Sequence, residues 1–367
     1  MKCFAIFAIV WLLANQPAED LRSLSVAPES MGTVLQPSVA VDGKGAVHVA
    51  FGSIEEKGIF VAAMSPQEKE FEKPVLVTRT ERPALGSRRG PRLVATEKAL
   101  IVSFIDSEDL AACVSKDGGK TWKGPNRINQ VSKSAGEGLH AMAAAPDGTV
   151  YVVWLEARQR GVAPFFARST DSGESWSEGG LVYDPPGGTI CECCHPSITV
   201  DREGRVYVMF RNSLQGKRNM YLAVSKDRGK SFTDAEKLGR GNWILNACPM
   251  DGGAVAVTSE GKIFTAWRRE GTVFFTAGNS AEEREAGPGK NPWIAAAGKA
   301  AYLFWEGKTG LYAKKLEADS LSLQGIDGEA RDVVIGVSPS GGTVFAAWDQ
   351  RGGEPRVHIR GAFLRRE

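Results

Sequence analysis

The sequence lacks an excess of charge of either sign. Its 45 Lys and Arg residues nearly balance its 43 Asp and Glu residues, which gives a formal net charge of +2. A chain that binds nucleic acid or an anionic membrane surface through its overall charge carries a clear basic excess. The composition therefore predicts neither a nucleic-acid partner nor a membrane-surface partner.

The sequence also lacks any hydrophobic segment long enough to anchor it in a membrane. The apolar stretch at residues 3–14 follows Lys2 and is too short to span a bilayer. Such a stretch, followed at once by polar residues 15–20, is typical of an export signal, and a buried N-terminal strand is the alternative. We predict a signal peptide over residues 1–18 and an extracytoplasmic (periplasmic or secreted) mature chain with no membrane insertion.

No linker or low-complexity segment divides the chain, and one pattern recurs along its length. An alternating strand, a Gly-containing turn and a second strand ending in an aromatic residue begin at residues 37, 90, 140, 195, 248, 291 and 332. The DG and GG turns suit tight hairpins because glycine adopts positive φ. This spacing matches the four-stranded blades of β-propellers. We predict one all-β domain over residues 19–367, a propeller of seven blades, with six as the alternative.

The two ends of the chain are predicted to meet in one blade. The last repeat contains only three candidate strands, whereas residues 21–27 precede the first full repeat and have no partner of their own. If this N-terminal segment supplies the missing outer strand, the ring closes and no sheet edge is left open.

Three of the repeats contain the motif Ser-x-Asp-x-Gly-x-x-aromatic, at residues 115–122, 169–176 and 225–232. A short Asp side chain accepts backbone N–H groups within a turn, and glycine adopts the left-handed conformation that the turn requires. We therefore predict that each motif forms the hairpin between the third and fourth strands of a blade.

These motifs resemble the Asp-box (BNR) repeats of the sialidase superfamily, and the chain is identified as a divergent member of it. The resemblance implies that Asp117, Asp171 and Asp227 are structural and lie on the face opposite the active site. It also implies an arginine cluster that binds a carboxylate, a Tyr–Glu nucleophile and an acid/base Asp. The first blade, however, lacks the family's Arg-Ile-Pro motif, and no tyrosine is clearly placed as nucleophile. Non-hydrolytic propellers share the motif, so the resemblance leaves open whether the chain is an enzyme.

Propeller topology brings the start of strand one and the end of strand two of each blade to one rim of the channel. The residues at these positions are Arg92, His140, His195, Cys248, Asp251, Asn291, Glu156, Arg158, Arg211, Arg268, Arg269, Glu306, Asp349 and Arg351. The predicted ligand-binding residues are Arg92, Arg158, Arg211, Arg268, Arg269, Asp251 and Arg351. The candidate catalytic residues are Tyr183, Asp184 and Glu156. Taken singly, each arginine is expected to pair with a neighbouring acid or to lie solvated on the rim, whereas their concentration at the ends of five strands favours a binding site.

Four cysteines lie ahead of two neighbouring blades, with Cys191, Cys193 and Cys194 before the fourth and Cys248 before the fifth. In an exported chain they predict a disulfide from Cys193 or Cys194 to Cys248. The alternatives are a redox-active thiol set and a zinc or copper site formed by these sulfurs with His195 or His140. Cys113 is predicted to be a buried free thiol. No other cofactor is expected.

The first functional hypothesis is a sialidase-like propeller that binds a glycan or another anionic small molecule at its channel mouth. If it is an enzyme, it is a glycoside hydrolase. A non-catalytic scaffold that binds a protein partner and a metal-binding exported protein are the alternatives.

Overall fold

The computed structural model describes residues 23–278, 282–316, 322–327, 329–351 and 357–366. The predicted signal peptide over residues 1–18 lies outside these ranges. Across the described residues, no helix is long and apolar enough to cross a membrane. A 3-10 turn spans Glu29–Met31, and the regular structure is otherwise β.

The strands form seven four-stranded antiparallel sheets, which we number as blades in chain order. Blades one to three comprise β2 (Val34–Val41), β3 (Val47–Ser53), β4 (Gly58–Met64), β5 (Val75–Arg79); β6 (Arg92–Ala95), β7 (Leu100–Asp106), β8 (Asp109–Ser115), β9 (Lys123–Arg127); and β10 (His140–Ala144), β11 (Val150–Arg158), β12 (Gly161–Ser169), β13 (Gly180–Leu181). Blades four and five comprise β14 (Ser197–Val200), β15 (Val206–Arg211), β16 (Met220–Ser225), β17 (Glu236–Lys237); and β18 (Gly253–Val257), β19 (Ile263–Arg269), β20 (Thr272–Ala277), β21 (Arg284–Pro288). Blades six and seven comprise β22 (Lys290–Ala297), β23 (Ala300–Gly307), β24 (Gly310–Leu316), β25 (Ser322–Asp327); and β26 (Ala330–Val337), β27 (Val344–Arg351), β28 (Val357–Arg365), β1 (Leu24–Ser25).

The blades form a closed ring. The first strand of every blade contacts the first strands of the two neighbouring blades, and β26 of blade seven contacts β2 of blade one. The first strands therefore surround a common central channel. The predicted seven-bladed propeller is confirmed, and the six-bladed alternative is wrong.

The N-terminal strand closes the ring as predicted. Leu24 pairs with Gly361 and Ser25 with Arg360, so β1 is the outer strand of blade seven. The backbone N–H of Val26 adds a hydrogen bond of 3.1 Å to the carbonyl of Ile359. The outer edge of β28 is therefore covered.

The hydrophobic core lies between the blades. Ile101 of blade two and Trp154 of blade three belong to one buried cluster, and Val153 of blade three packs with Val208 of blade four in the next. The second strands are almost wholly apolar because neighbouring blades cover both of their faces. Each such aliphatic or aromatic side chain contributes about 1.5–3 kcal/mol through burial.

The three Asp-box motifs form the hairpins between the third and fourth strands of blades two to four. In the first, Asp117 accepts the N–H of Thr121 at 2.9 Å, and Ser115 Oγ accepts the N–H of Gly119 at 2.8 Å. The other two boxes repeat these contacts. The Thr121 hydroxyl, its N–H and the Ser115 hydroxyl lower the pKa of Asp117 to about 2. These hairpins lie at the end of the blade opposite to the end of strand two, so the aspartates have the structural role that was predicted.

Candidate functional site

A cavity of about 470 Å³ opens at the rim where the strand-one starts and strand-two ends of blades five to seven meet. The loop ahead of blade two and the start of blade one complete its wall. Its basic residues are Arg88, Arg268, Lys290, Arg331 and Arg351. Its acidic residues are Asp251, Glu306, Asp332 and Asp349. Opposite charges are thus concentrated in one pocket of a size that suits a small ligand.

Left-handed backbone conformations shape the cavity wall. Gln36, Arg88, Met250, Asn291 and Asp332 all line it, and their φ angles are +62°, +65°, +53°, +51° and +53°. In blades one, six and seven the left-handed residue coincides with a register shift between strands one and two. Bulges of this kind redirect a side chain and are concentrated at functional sites.

Arg88 holds this wall together. Its guanidinium is almost fully buried and donates to the carbonyls of Val333 at 3.1 Å and Asn291 at 2.7 Å. Its Nε lies 3.1 Å from Oδ1 of Asp332. Because Arg88 precedes blade two whereas its partners belong to blades six and seven, its loop reaches across the mouth of the channel.

Asp332 and Asp349 form a carboxyl pair that shares one amide. Nε2 of Gln36 donates to Oδ2 of Asp332 at 2.7 Å and to Oδ2 of Asp349 at 3.4 Å. The backbone N–H of Gln36 also donates to Asp349 at 2.9 Å. Burial, and secondly the charge of Asp332, raise the pKa of Asp349 well above its usual value. Asp349 therefore holds its proton over a wider pH range than an ordinary aspartate.

Asp251 marks the other side of the cavity. Its Oδ2 lies 2.9 Å from Nε of Arg268, and its carbonyl accepts from Nε of the fully buried Arg211 at 2.9 Å. Burial raises the pKa of Asp251, although Arg211 and Arg268 oppose that shift. Oδ1 of Asp251 and Oδ1 of Asn291 are buried acceptors with no hydrogen-bond partner within the described ranges. Buried polar atoms of this kind normally have partners, so both are available to a ligand.

The predicted ligand-binding residues divide into two groups. Asp251, Arg268 and Arg351 line the cavity. Arg211 does not line it but donates a hydrogen bond to the carbonyl of Asp251. Arg92 lies elsewhere and donates to backbone carbonyls, including that of His140 at 3.1 Å, and burial lowers its pKa to about 10.

Arg158 and Arg269 are ion-paired away from the cavity. Arg158 pairs with Glu156, and Arg269 makes two bonds of 2.7 and 2.8 Å to Glu283. These two arginines therefore form the ion pairs that were the alternative to ligand binding.

The three candidate catalytic residues are not among those that line the cavity. Glu156 is buried in blade three, where Oε2 accepts from Nε1 of Trp154 at 2.9 Å. The hydroxyl of Tyr183 accepts from Nδ2 of Asn212 at 2.9 Å, and its ring packs on Phe210. Asp184 is exposed.

Sequence reasoning missed five of the charged and amide residues that line the cavity. Gln36 and Asp332 lie at the bulged start of strand one in blades one and seven, at the repeat position that His195, Asp251 and Asn291 occupy in their own blades. Aligning that position across all seven repeats would have found them. The others are Arg88, Lys290 and Arg331; for Arg88, nothing in the repeat pattern indicates a loop that crosses the channel.

The cysteine cluster contains the predicted disulfide, which joins Cys193 to Cys248. Cys191 and Cys194 are buried free thiols with their sulfurs 3.2 Å apart. The hydrogen bond from Cys194 is the main cause that lowers the pKa of Cys191 to about 7, whereas burial raises that of Cys194. Cys113 is a buried free thiol as predicted, and burial raises its pKa to about 12.

The cluster in this oxidation state does not fit the predicted metal site. Within the described ranges, the sulfurs of Cys191, Cys193 and Cys194 are the group close enough together to hold an ion, and His195 is not part of it. Zinc and copper require thiolate ligands, and the sulfur of Cys193 is already bonded to that of Cys248. His195 accepts instead from the N–H of Gly252 at 3.2 Å, and burial keeps its pKa well below the usual value.

Comparison with known proteins identifies the repeat. Residues 69–266 match the BNR repeat-like domain, which is more than half of the chain. The chain belongs to the BNR repeat-like domain family. The predicted resemblance to Asp-box propellers of the sialidase superfamily is thereby confirmed. No curated protein matches the chain.

Several solved structures of BNR-like propeller shape are similar to this member of the family. A protein of unknown function from Dyadobacter fermentans is 15% identical, with a TM-score of 0.55, over 96% of this chain and 100% of that one. An α-L-arabinanase from Penicillium chrysogenum, complexed with arabinobiose, is 14% identical (TM-score 0.55; 93% and 98% covered). A polysaccharide lyase, an ulvan lyase bound to -[GlcA(1-4)Rha3S]-, is 10% identical (TM-score 0.59; 94% and 96% covered). At these identities the likeness establishes the fold alone.

Proposed function

We propose that the cavity at the channel mouth binds an acidic saccharide and that the chain cleaves a glycosidic bond there. The observation that carries the proposal is the pair of carboxyls, Asp332 and Asp349, which share the amide of Gln36 beside the buried Arg88. Two carboxyls whose environments differ in this way can take different roles in glycoside hydrolysis.

Asp349 is the proposed general acid. Its raised pKa keeps the proton on the carboxyl until the glycosidic oxygen accepts it and the bond from that oxygen to the sugar carbon breaks. Water then attacks the sugar carbon and gives up a proton to the Asp349 carboxylate. Asp332 is the proposed carboxylate that stabilises the positive charge developing on the sugar ring. It is held in place by Arg88 and Gln36.

The remaining cavity residues are proposed to bind the saccharide. Arg331 and Arg351 line the opening, and the planar guanidinium group matches a carboxylate in shape and charge. The free oxygens Oδ1 of Asp251 and Oδ1 of Asn291 would accept hydrogen bonds from sugar hydroxyls. The arabinanase and the ulvan lyase of similar fold were each solved with a saccharide, which supports this class of ligand.

An extracytoplasmic location is part of the proposal. The disulfide between Cys193 and Cys248 supports it because such bonds persist in oxidising compartments.

The test combines turnover and binding. Fluorogenic sialosides and glucuronides are assayed with the native chain, with Asp349→Asn and with the control Asp234→Asn, which changes an exposed aspartate ahead of β17. Loss of a general acid typically costs about 10²–10⁴-fold in rate. We expect that loss in Asp349→Asn alone, while the free sugar acids still bind the variant in calorimetry.

Two results would count against the proposal. If both variants turn over as fast as the native chain, Asp349 is not the acid. If no sugar acid binds and no substrate is cleaved by the native chain, the interaction scaffold becomes the better hypothesis.

A further inference from the structure

Two pairs of cysteines meet beside the cavity in different oxidation states. Cys193 is bonded to Cys248, while Cys191 and Cys194 are free thiols whose sulfurs lie 3.2 Å apart. The sulfur of Cys191 is also 3.9 Å from that of Cys193. We propose that these four cysteines form a thiol–disulfide exchange site in which the disulfide passes between the two pairs.

The exchange proceeds in two displacements. The thiolate of Cys191 attacks the sulfur of Cys193, the bond from Cys193 to Cys248 breaks, and Cys248 leaves as a thiolate that takes up a proton. The thiolate of Cys194 then attacks Cys191, which releases Cys193. One disulfide and two thiols are present before and after the exchange, so no external oxidant or reductant is needed.

The surroundings of the pair suit a thiolate. Arg211, itself fully buried, contributes a favourable positive charge to both Cys191 and Cys194. The backbone N–H of Asp251 adds a hydrogen bond to Cys194. A cationic, hydrogen-bonded environment is what distinguishes reactive cysteines from inert buried ones such as Cys113.

The two disulfide states differ at the surface of the molecule. Cys191 and Cys194 are buried, whereas Cys248 is exposed and lies three residues before Asp251. Formation of the Cys191–Cys194 bond would leave a reactive thiol at Cys248, where a thiol or disulfide of another protein can reach it. It would also release the segment whose residues Pro249, Met250 and Asp251 line the cavity.

The exchange is tested in the native full chain without added thiol. The protein is incubated with a maleimide at neutral pH, quenched in acid and mapped by peptide mass spectrometry. We expect Cys248 to acquire label over time while peptides joined through Cys191 and Cys194 appear at the same rate. A chain in which Cys248 stays unlabelled and no such peptide forms would overturn the proposal.

Three variants identify the attacking sulfur. Cys191→Ser removes the nucleophile and should slow the labelling of Cys248 by at least about tenfold. Cys194→Ser should trap the bond from Cys191 to Cys193, with Cys248 free. Cys113→Ser removes a free thiol outside the cluster and should label as the native chain does.

Two further outcomes would reject the exchange. Equal labelling of Cys248 in Cys191→Ser and the native chain would show that opening of the disulfide does not need Cys191. Purification of the chain with zinc or copper held by four reduced cysteines would assign the cluster to a metal. If a variant fails to fold, the mass mapping of the native chain still tests whether the disulfide moves to Cys191 and Cys194.

Discussion

At the scale of single residues, the cavity contains two buried carboxyl groups whose pKa is raised, Asp251 and Asp349. Asp349 is buried beside Asp332, and its pKa is raised well above the usual value. Keeping this carboxyl neutral in the folded chain lowers the free energy of unfolding at a pH where the unfolded chain ionises it. Groups that transfer protons in active sites commonly have pKa values shifted in this way.

The raised pKa of Asp349 predicts how the free energy of unfolding depends on pH. A carboxyl whose pKa is raised on folding stabilises the protein fully below the ordinary aspartate pKa, and that contribution is lost as the pH rises through the folded-state value. Asp349→Asn removes the group. We therefore expect the unfolding free energy of the variant, relative to the native chain, to increase with pH by up to about 1.4 kcal/mol per pH unit.

Urea unfolding of both chains over a pH series measures the difference. Asp251 and the Asp-box aspartates also titrate, but they are common to both chains and cancel in the comparison. A difference that stays constant across the series would mean that Asp349 is not perturbed as described. The control Asp234→Asn, which changes an exposed aspartate, is unfolded over the same pH series.

At the scale of strands and turns, the Asp-box hairpins fasten one blade to the next. Gly229 of the third box has φ of +80°, and a Cβ at this position would collide with the ring of Phe166 in blade three. That ring has little room to move, because it stacks on Tyr151 and meets Phe232 edge to face. The glycine is therefore required both by its backbone conformation and by the neighbouring blade.

Gly118 of the first box separates these two requirements. Its φ is +76°, and a Cβ there would meet nothing within 4 Å. Gly118→Ala should cost about 1–2 kcal/mol for the left-handed conformation alone. Gly229→Ala should cost about 1–3 kcal/mol more, because overpacking is added. Urea unfolding of the two variants gives the difference, and equal losses would show that Phe166 yields to the added methyl group.

The elements also show what the sequence could and could not predict. The strands and Asp-box turns are specified locally, by alternation around Gly-containing turns, so residues 140–154 could be recognised as a hairpin without the structure. The bulges at Gln36, Asn291 and Asp332 could not, because none of these residues is a glycine and their left-handed conformation depends on the surrounding blades. Arg88 was missed for a related reason, since its partners lie 203 and 245 residues away along the chain.

At the scale of the whole molecule, one short strand joins the ends of the ring. β1 contributes only Leu24 and Ser25 to blade seven, but Val26 beside it is fully buried in the cluster shared with blade one. A chain that begins at Thr33 would lack all of these residues. Its unfolding free energy should be lower by at least the roughly 1.5–3 kcal/mol that burial of Val26 contributes.

The same truncation should change how the protein associates. Without β1, the edge of β28 presents unpaired N–H and C=O groups, which act as a template for pairing with another chain. We expect concentration-dependent association in sedimentation experiments, together with a lower Tm. The control is a chain that begins at Ser23, which keeps β1 and should remain as stable as the native protein. If both chains are equally stable and neither associates, contacts between the first strands are sufficient to close the ring, and β1 is not required.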